Sequence, residues 1–157
     1  MFFKNQSESQ NLLLKLLNAT PSAMAIVKGG ESYPDICGKV QFYNFDDACV
    51  VTCLLHSLPK TSTNFFGFHL HQNGDCSENF SSAGEHYGEN AHPNHKGDLP
   101  VIFSCDGNAF LVTATNRFKV SEIIGRSVII HESPDDFTSQ PSGNSGKRIA
   151  CGVIQKV

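Results

Sequence analysis

The stretch Val101-Ile102-Phe103-Ser104-Cys105-Asp106-Gly107-Asn108-Ala109-Phe110-Leu111-Val112-Thr113-Ala114-Thr115 decides the fold class. Two apolar runs, Val101 to Ser104 and Ala109 to Thr115, flank Asp106-Gly107-Asn108, a hairpin signal. The same pattern continues outward in both directions. Ala23 to Lys28 is a short apolar run ending in Gly29-Gly30, and Cys37 to Phe45 alternates around Val40, Phe42 and Phe45. Cys49 to Leu58 is rich in β-branched and apolar residues, and Phe65 to His71 is another extended run. Ser127 to His131 and Arg148 to Val153 bring the set to eight. Many short strands with little helix after residue 20 predict an all-β fold, a β-sandwich or barrel.

Two segments do not fit strands. Asn73 to Leu99 holds Gly, Asn, His, Pro and Asp, and Glu132 to Lys147 is rich in Ser, Gly, Pro and Asp. Structureless loops longer than about 15 residues are usually functional or disordered, and the ligand-type residues in the first favour function. Before residue 21, Ser7 and the leucines from Leu12 to Leu17 read as a short amphipathic helix. The chain therefore divides into an N-terminal segment, 1–20, and a β domain, 21–157.

The 157 residues suffice for one domain with a sizeable core. The net charge of -3 argues against a nucleic-acid binder, and no apolar run approaches the roughly 18 residues of a membrane span. The run Leu12 to Leu17 is interrupted by Lys15 and is short for a secretion signal, so a cytoplasmic location is expected. Of the six cysteines, Cys37, Cys49, Cys53 and Cys105 are expected as buried small hydrophobes.

The chemistry concentrates in histidines. In Gly67-Phe68-His69-Leu70-His71 the two imidazoles stand at i and i+2 and share one face of a strand. Alone, such a pair is as readily a satisfied polar pair as a chelate. His86, His92, His95 and Asp98 follow within 13 residues, three imidazoles and a carboxylate, a tetrahedral set suited to zinc. His131 ends the run Ser127 to Ile130 and can complete a copper set with His69 and His71. His56 has no partner in sequence and reads as structural or surface.

At these residues the chain resembles the copper–zinc superoxide dismutase family, over roughly residues 22 to 154. The motifs are GFHLH at 67–71, SAGEH at 82–86, HKGDLP at 95–100, IIGRSVIIHE at 123–132 and GNSGKRIACGVI at 143–154. The resemblance implies a Greek-key β-barrel with superoxide dismutase activity. It implies copper on His69, His71, His86 and His131, and zinc on His86, His92, His95 and Asp98. His86 is then the bridging ligand, which also carries a proton in the reaction. Asp135 matches an aspartate hydrogen-bonded to ligands of both metals. Arg148 matches an arginine that attracts and anchors the superoxide anion, with Lys96 and Lys147 as further attracting charges. Cys151 matches one half of an internal disulfide. Animal members place its partner at the position of Phe80 here, whereas Cys76 fits the bacterial arrangement, so a Cys76–Cys151 bond is expected. The resemblance also allows a homodimer. Two other readings stay open: a non-catalytic copper- or zinc-binding domain, and a copper-only dismutase.

Overall fold

The computed structural model describes residues 18–45 and 47–157. The helix expected over the leucines lies outside the described residues. The strands are β1 (Ala23–Gly29), β2 (Cys37–Phe45), β3 (Ala48–His56), β4 (Phe65–Phe66), β5 (Phe68–His71), β6 (Ile102–Phe103), β7 (Ala109–Thr115), β8 (Ser127–His131) and β9 (Arg148–Lys156). Seven form one curled antiparallel sheet in the order β5-β8-β9-β1-β2-β3-β7, and β4 pairs with β6.

The two-stranded ribbon connects the edges of the large sheet. β4 runs into β5 with only Gly67 between them, and β6 runs into β7 through the Asp106-Gly107-Asn108 turn, closed by reciprocal Cys105–Asn108 backbone bonds. Counting β4 and β5 as one bent strand gives the eight expected strands. The pairings β3 with β7 and β5 with β8 are the non-sequential connections of a Greek key. A helical turn, α1 (Val120–Ile123), precedes β8, and β9 extends three residues past the expected Val153.

Alternation places the core. In β2, Val40 and Phe42 point inward; opposite them, Cys53 and Val51 of β3 do the same, and all four are fully buried. Phe66 and Phe68 enter from the bent strand, and Val128 and Ile130 from β8. Each such side chain contributes about 1.5–3 kcal/mol by leaving water. The cysteine expectation holds for Cys49 and Cys53, whose thiols burial pushes up to about 11 and about 12. It fails for Cys37 and Cys105, which are exposed. Cys37 begins β2 in register with the outward-facing Lys39, and Cys105 sits at the hairpin turn, so neither alternates into the core. No described helix is long and apolar enough to cross a membrane.

Candidate metal centre

β5 carries the first two histidines, and both its edges are occupied. β8 pairs along one edge, setting His131 at its end beside them. Along the other edge the long loop runs close, with bridges His71–His86 and His69–Asp98, and hydrogen bonds from Leu70 N to Gly97 O and from Tyr87 N to Leu70 O. The loop therefore delivers His86 and Asp98 to the same wall as the strand histidines.

Two groups of ligand atoms result, each with all its atoms within 4.8 Å of one another: His69, His71, His86 and His131, and His86, His92, His95 and Asp98. His86 belongs to both. All the expected ligands are brought together, and His92 is as deeply buried as the others. The expected bridging position of His86 is thus present as geometry. His56 stays apart, hydrogen-bonded to Asn108.

His69, His71, His92 and His131 each have one nitrogen committed to the protein outside the groups and one turned to a group, whereas His86 turns one nitrogen to each group. His69 Nε2–H donates to Asp135 Oδ2 at 2.8 Å, leaving Nδ1 buried without a partner. His71 Nδ1–H donates to the Gly84 carbonyl at 2.8 Å, and His131 Nδ1 faces the Gly146 carbonyl at 3.3 Å. Their two Nε2 atoms lie 3.4 Å apart. His86 Nε2 is a further buried atom without a partner, while its Nδ1 is 2.8 Å from Asp98 Oδ1. On the Asp98 side, His95 Nδ1 is 3.0 Å and His92 Nδ1 3.2 Å from Oδ2, the latter without hydrogen-bond geometry. Convergent buried nitrogens without partners are costly unless something binds them.

The electrostatics suit a cation. Burial pushes His71 down to about 3 and also lowers His69 and His131, so these imidazoles are neutral with lone pairs available. For Asp98 burial acts upward, but the hydrogen bond and charge of His86 outweigh it and hold the carboxyl at about 2. The all-imidazole group fits copper, and the three-imidazole, one-carboxylate group fits zinc.

The surrounding loops lock the ligands in place. Asp135 Oδ1 accepts from His92 Nε2 at 2.9 Å, so one carboxylate orients a ring in each group. Gly143 has φ +65°, and a Cβ there would overlap Asp135 Oδ1 and His92 Nε2, so only glycine fits against the pair. The Gln140 side chain bonds both backbone groups of His92, and Arg117 Nη1 donates to the carbonyls of Pro93, His95 and Asp98. Neither residue carries a local sequence signal, because its partners lie 19 to 48 positions away.

Arg148 stands beside the copper-type group. Its guanidinium donates to the Phe80 carbonyl at 2.6 Å and the Gly84 carbonyl at 2.7 Å. The loop supplying those carbonyls is pinned by the Cys76–Cys151 disulfide and by Phe80, which packs with Ala83, Ile129 and Cys151. Lys96 is paired with Glu122 at 2.7 Å and lies over the Tyr87 ring.

The family described as copper/zinc superoxide dismutase matches residues 36–154. The copper–zinc superoxide dismutase of Legionella pneumophila is 36% identical over 132 residues, covering 78% of this chain and 80% of the relative. One of Aquifex aeolicus is 32% identical over 139 residues, covering 77% and 80%. The copper chaperone for superoxide dismutase of Rattus norvegicus is 30% identical over 151 residues, covering 86% of this chain but 53% of the chaperone.

Proposed function

The chain belongs to the copper/zinc superoxide dismutase family, and on that premise we propose that it is itself a superoxide dismutase. In this reading copper is held by His69, His71, His86 and His131, and zinc by His86, His92, His95 and Asp98. The observation that carries it is the undamaged four-imidazole group, sharing His86 with the second group and lying beside a fixed arginine.

The reaction converts two superoxide anions and two protons into dioxygen and hydrogen peroxide. Copper supplies one-electron redox chemistry when bound, and zinc a fixed positive charge. The chain's own residues do the rest. Arg148, its guanidinium oriented by the Phe80 and Gly84 carbonyls, attracts and aligns the anion. His86 Nε2 is the atom that holds a proton for the peroxide, while Nδ1 remains directed at Asp98. Asp135 keeps His69 and His92 in single orientations.

A second reading, a copper-carrying domain without turnover, draws on the chaperone match, which covers more of this chain than the dismutase matches given above. Superoxide decay measured with the copper- and zinc-loaded protein separates the two. A dismutase removes superoxide far faster than an equal concentration of free copper and loses this with His131→Ala. A rate no better than free copper overturns the proposal.

A further inference from the structure

Three of the site histidines are each followed by a residue that is held from one place outside both ligand groups. Gln72 follows His71, Tyr87 follows His86 and Lys96 follows His95. All three are bound by Glu122, in α1, or by Arg126, just before β8. Glu122 Oε2 accepts from Lys96 Nζ at 2.7 Å and from the Tyr87 hydroxyl at 3.1 Å. Arg126 Nη1 donates to the Gln72 carbonyl at 2.9 Å, and the guanidinium carbon lies 3.7 Å from the centre of the Tyr87 ring.

The anchor is itself fixed. Arg126 Nε donates to the Glu122 carbonyl at 2.9 Å. Gly125 N donates to the Ile154 carbonyl and Ile154 N to the Arg126 carbonyl, both at 2.9 Å, which ties this turn to β9. Val120 and Ile123 of α1 are buried in the core, so the turn that carries Glu122 is seated on the barrel.

Tyr87 is the hub on the loop side. Its ring packs against the core, its N–H donates to the Leu70 carbonyl at 2.8 Å, and its carbonyl accepts from Gly97 N at 2.7 Å. One residue before it stands His86, the member of both ligand groups. Lys96 lies directly between His95 and Gly97-Asp98. His71 and His131, by contrast, stand on the paired strands β5 and β8. The Glu122 contacts therefore bear on the zinc-type group more than on the copper-type group.

An isolated exposed ion pair does little for stability, and the Lys96 and Glu122 side chains are 44% and 35% exposed. Here, however, one carboxylate oxygen gathers two groups, each next in the chain to a ligand. We propose that Glu122 is a positioning residue of the metal centre, which acts through Tyr87 and Lys96 to set His86 and His95 against Asp98. The inference rests on reading these groups as a zinc and a copper site, and not on turnover.

Zinc affinity of the full-length, disulfide-intact protein is measured by chelator competition. Cobalt(II), loaded in place of zinc, reports the geometry of the tetrahedral ligand set through its visible bands. Glu122→Ala and Lys96→Met should each weaken zinc binding about threefold or more and alter the cobalt bands, with little change in the urea midpoint. The double variant should bind zinc within about twofold of the weaker single variant, because both changes break one contact. Zinc affinity and cobalt bands at native values in both single variants, or losses that add in full, would overturn the proposal. So would native protein that takes up no cobalt. Superoxide removal is a separate readout: an inactive protein with the expected metal effects contradicts the dismutase reading alone, and an active one without them contradicts this proposal alone.

Discussion

His69 Nε2–H donates to Asp135 Oδ2 across 2.8 Å, with both side chains excluded from solvent. The other oxygen of that carboxylate takes the Nε2–H of His92 at 2.9 Å, so one residue outside the ligand groups orients a ring in each. Phe137 N at 2.6 Å from Oδ1 holds the carboxylate in turn.

Asp135→Asn keeps the shape but loses the charge and one acceptor. Affinity for zinc and for copper should fall by about 10- to 100-fold each, the usual cost of removing a hydrogen-bond partner of ligating histidines. Competition titration with chromogenic chelators measures both. Loss confined to one metal would contradict the bridging role.

Arg117 is expected to preform the zinc-type group by gathering the carbonyls of Pro93, His95 and Asp98. Arg117→Ala should weaken zinc binding about tenfold while leaving copper affinity nearly unchanged. The same titration checks it, and an unchanged zinc affinity refutes it.

The Cys76–Cys151 bond closes a long loop, with a sequence separation of 75. Cys76→Ser should lower stability by about 2–4 kcal/mol, read as a lower urea midpoint. Reductant should lower the midpoint of the native protein comparably and leave the variant unaffected. It should also loosen the Phe80 and Gly84 carbonyls that hold Arg148, lowering superoxide removal at constant copper content.

Acid should destabilise the metal-free protein. His71 is pushed down to about 3 by burial, and His69 and His131 are lowered too, all from the usual 6.5. In the unfolded chain these rings take up protons near 6.5 while the folded rings do not, so stability is present above that pH and drains away as pH falls from about 6.5 toward 3. Asp98, held at about 2 instead of 3.8, adds a loss of the same sign between those values. Each histidine following this pattern contributes about 1.4 kcal/mol per pH unit within its window. Thermal unfolding of metal-free protein between pH 7.5 and 4.5 measures this, and a flat midpoint contradicts it.

Local periodicity made much of this site legible. The i, i+2 spacing of His69 and His71 and the strand-end place of His131 follow from strand geometry. The spacing of His86, His92, His95 and Asp98 marks a ligand-bearing loop. The roles of Asp135, Arg148 and the Cys76–Cys151 pair came from motif resemblance. What stayed hidden depends on contacts between segments far apart in the chain. The grip of Gln140 on His92 and of Arg117 on three carbonyls has no local pattern. The outward turn of Cys37 depends on the register that sets it between Lys28 and His56, which only the paired sheet defines.

Diffraction from crystals of the copper- and zinc-loaded protein, with anomalous maps at both absorption edges, tests the central claim most directly. Two peaks should flank His86. The copper peak should face Nδ1 of His69 and Nε2 of His71, His86 and His131. The zinc peak should face Nδ1 of His86, His92 and His95 and the Asp98 carboxylate. A single metal, or a His86 ring touching only one, would contradict the account.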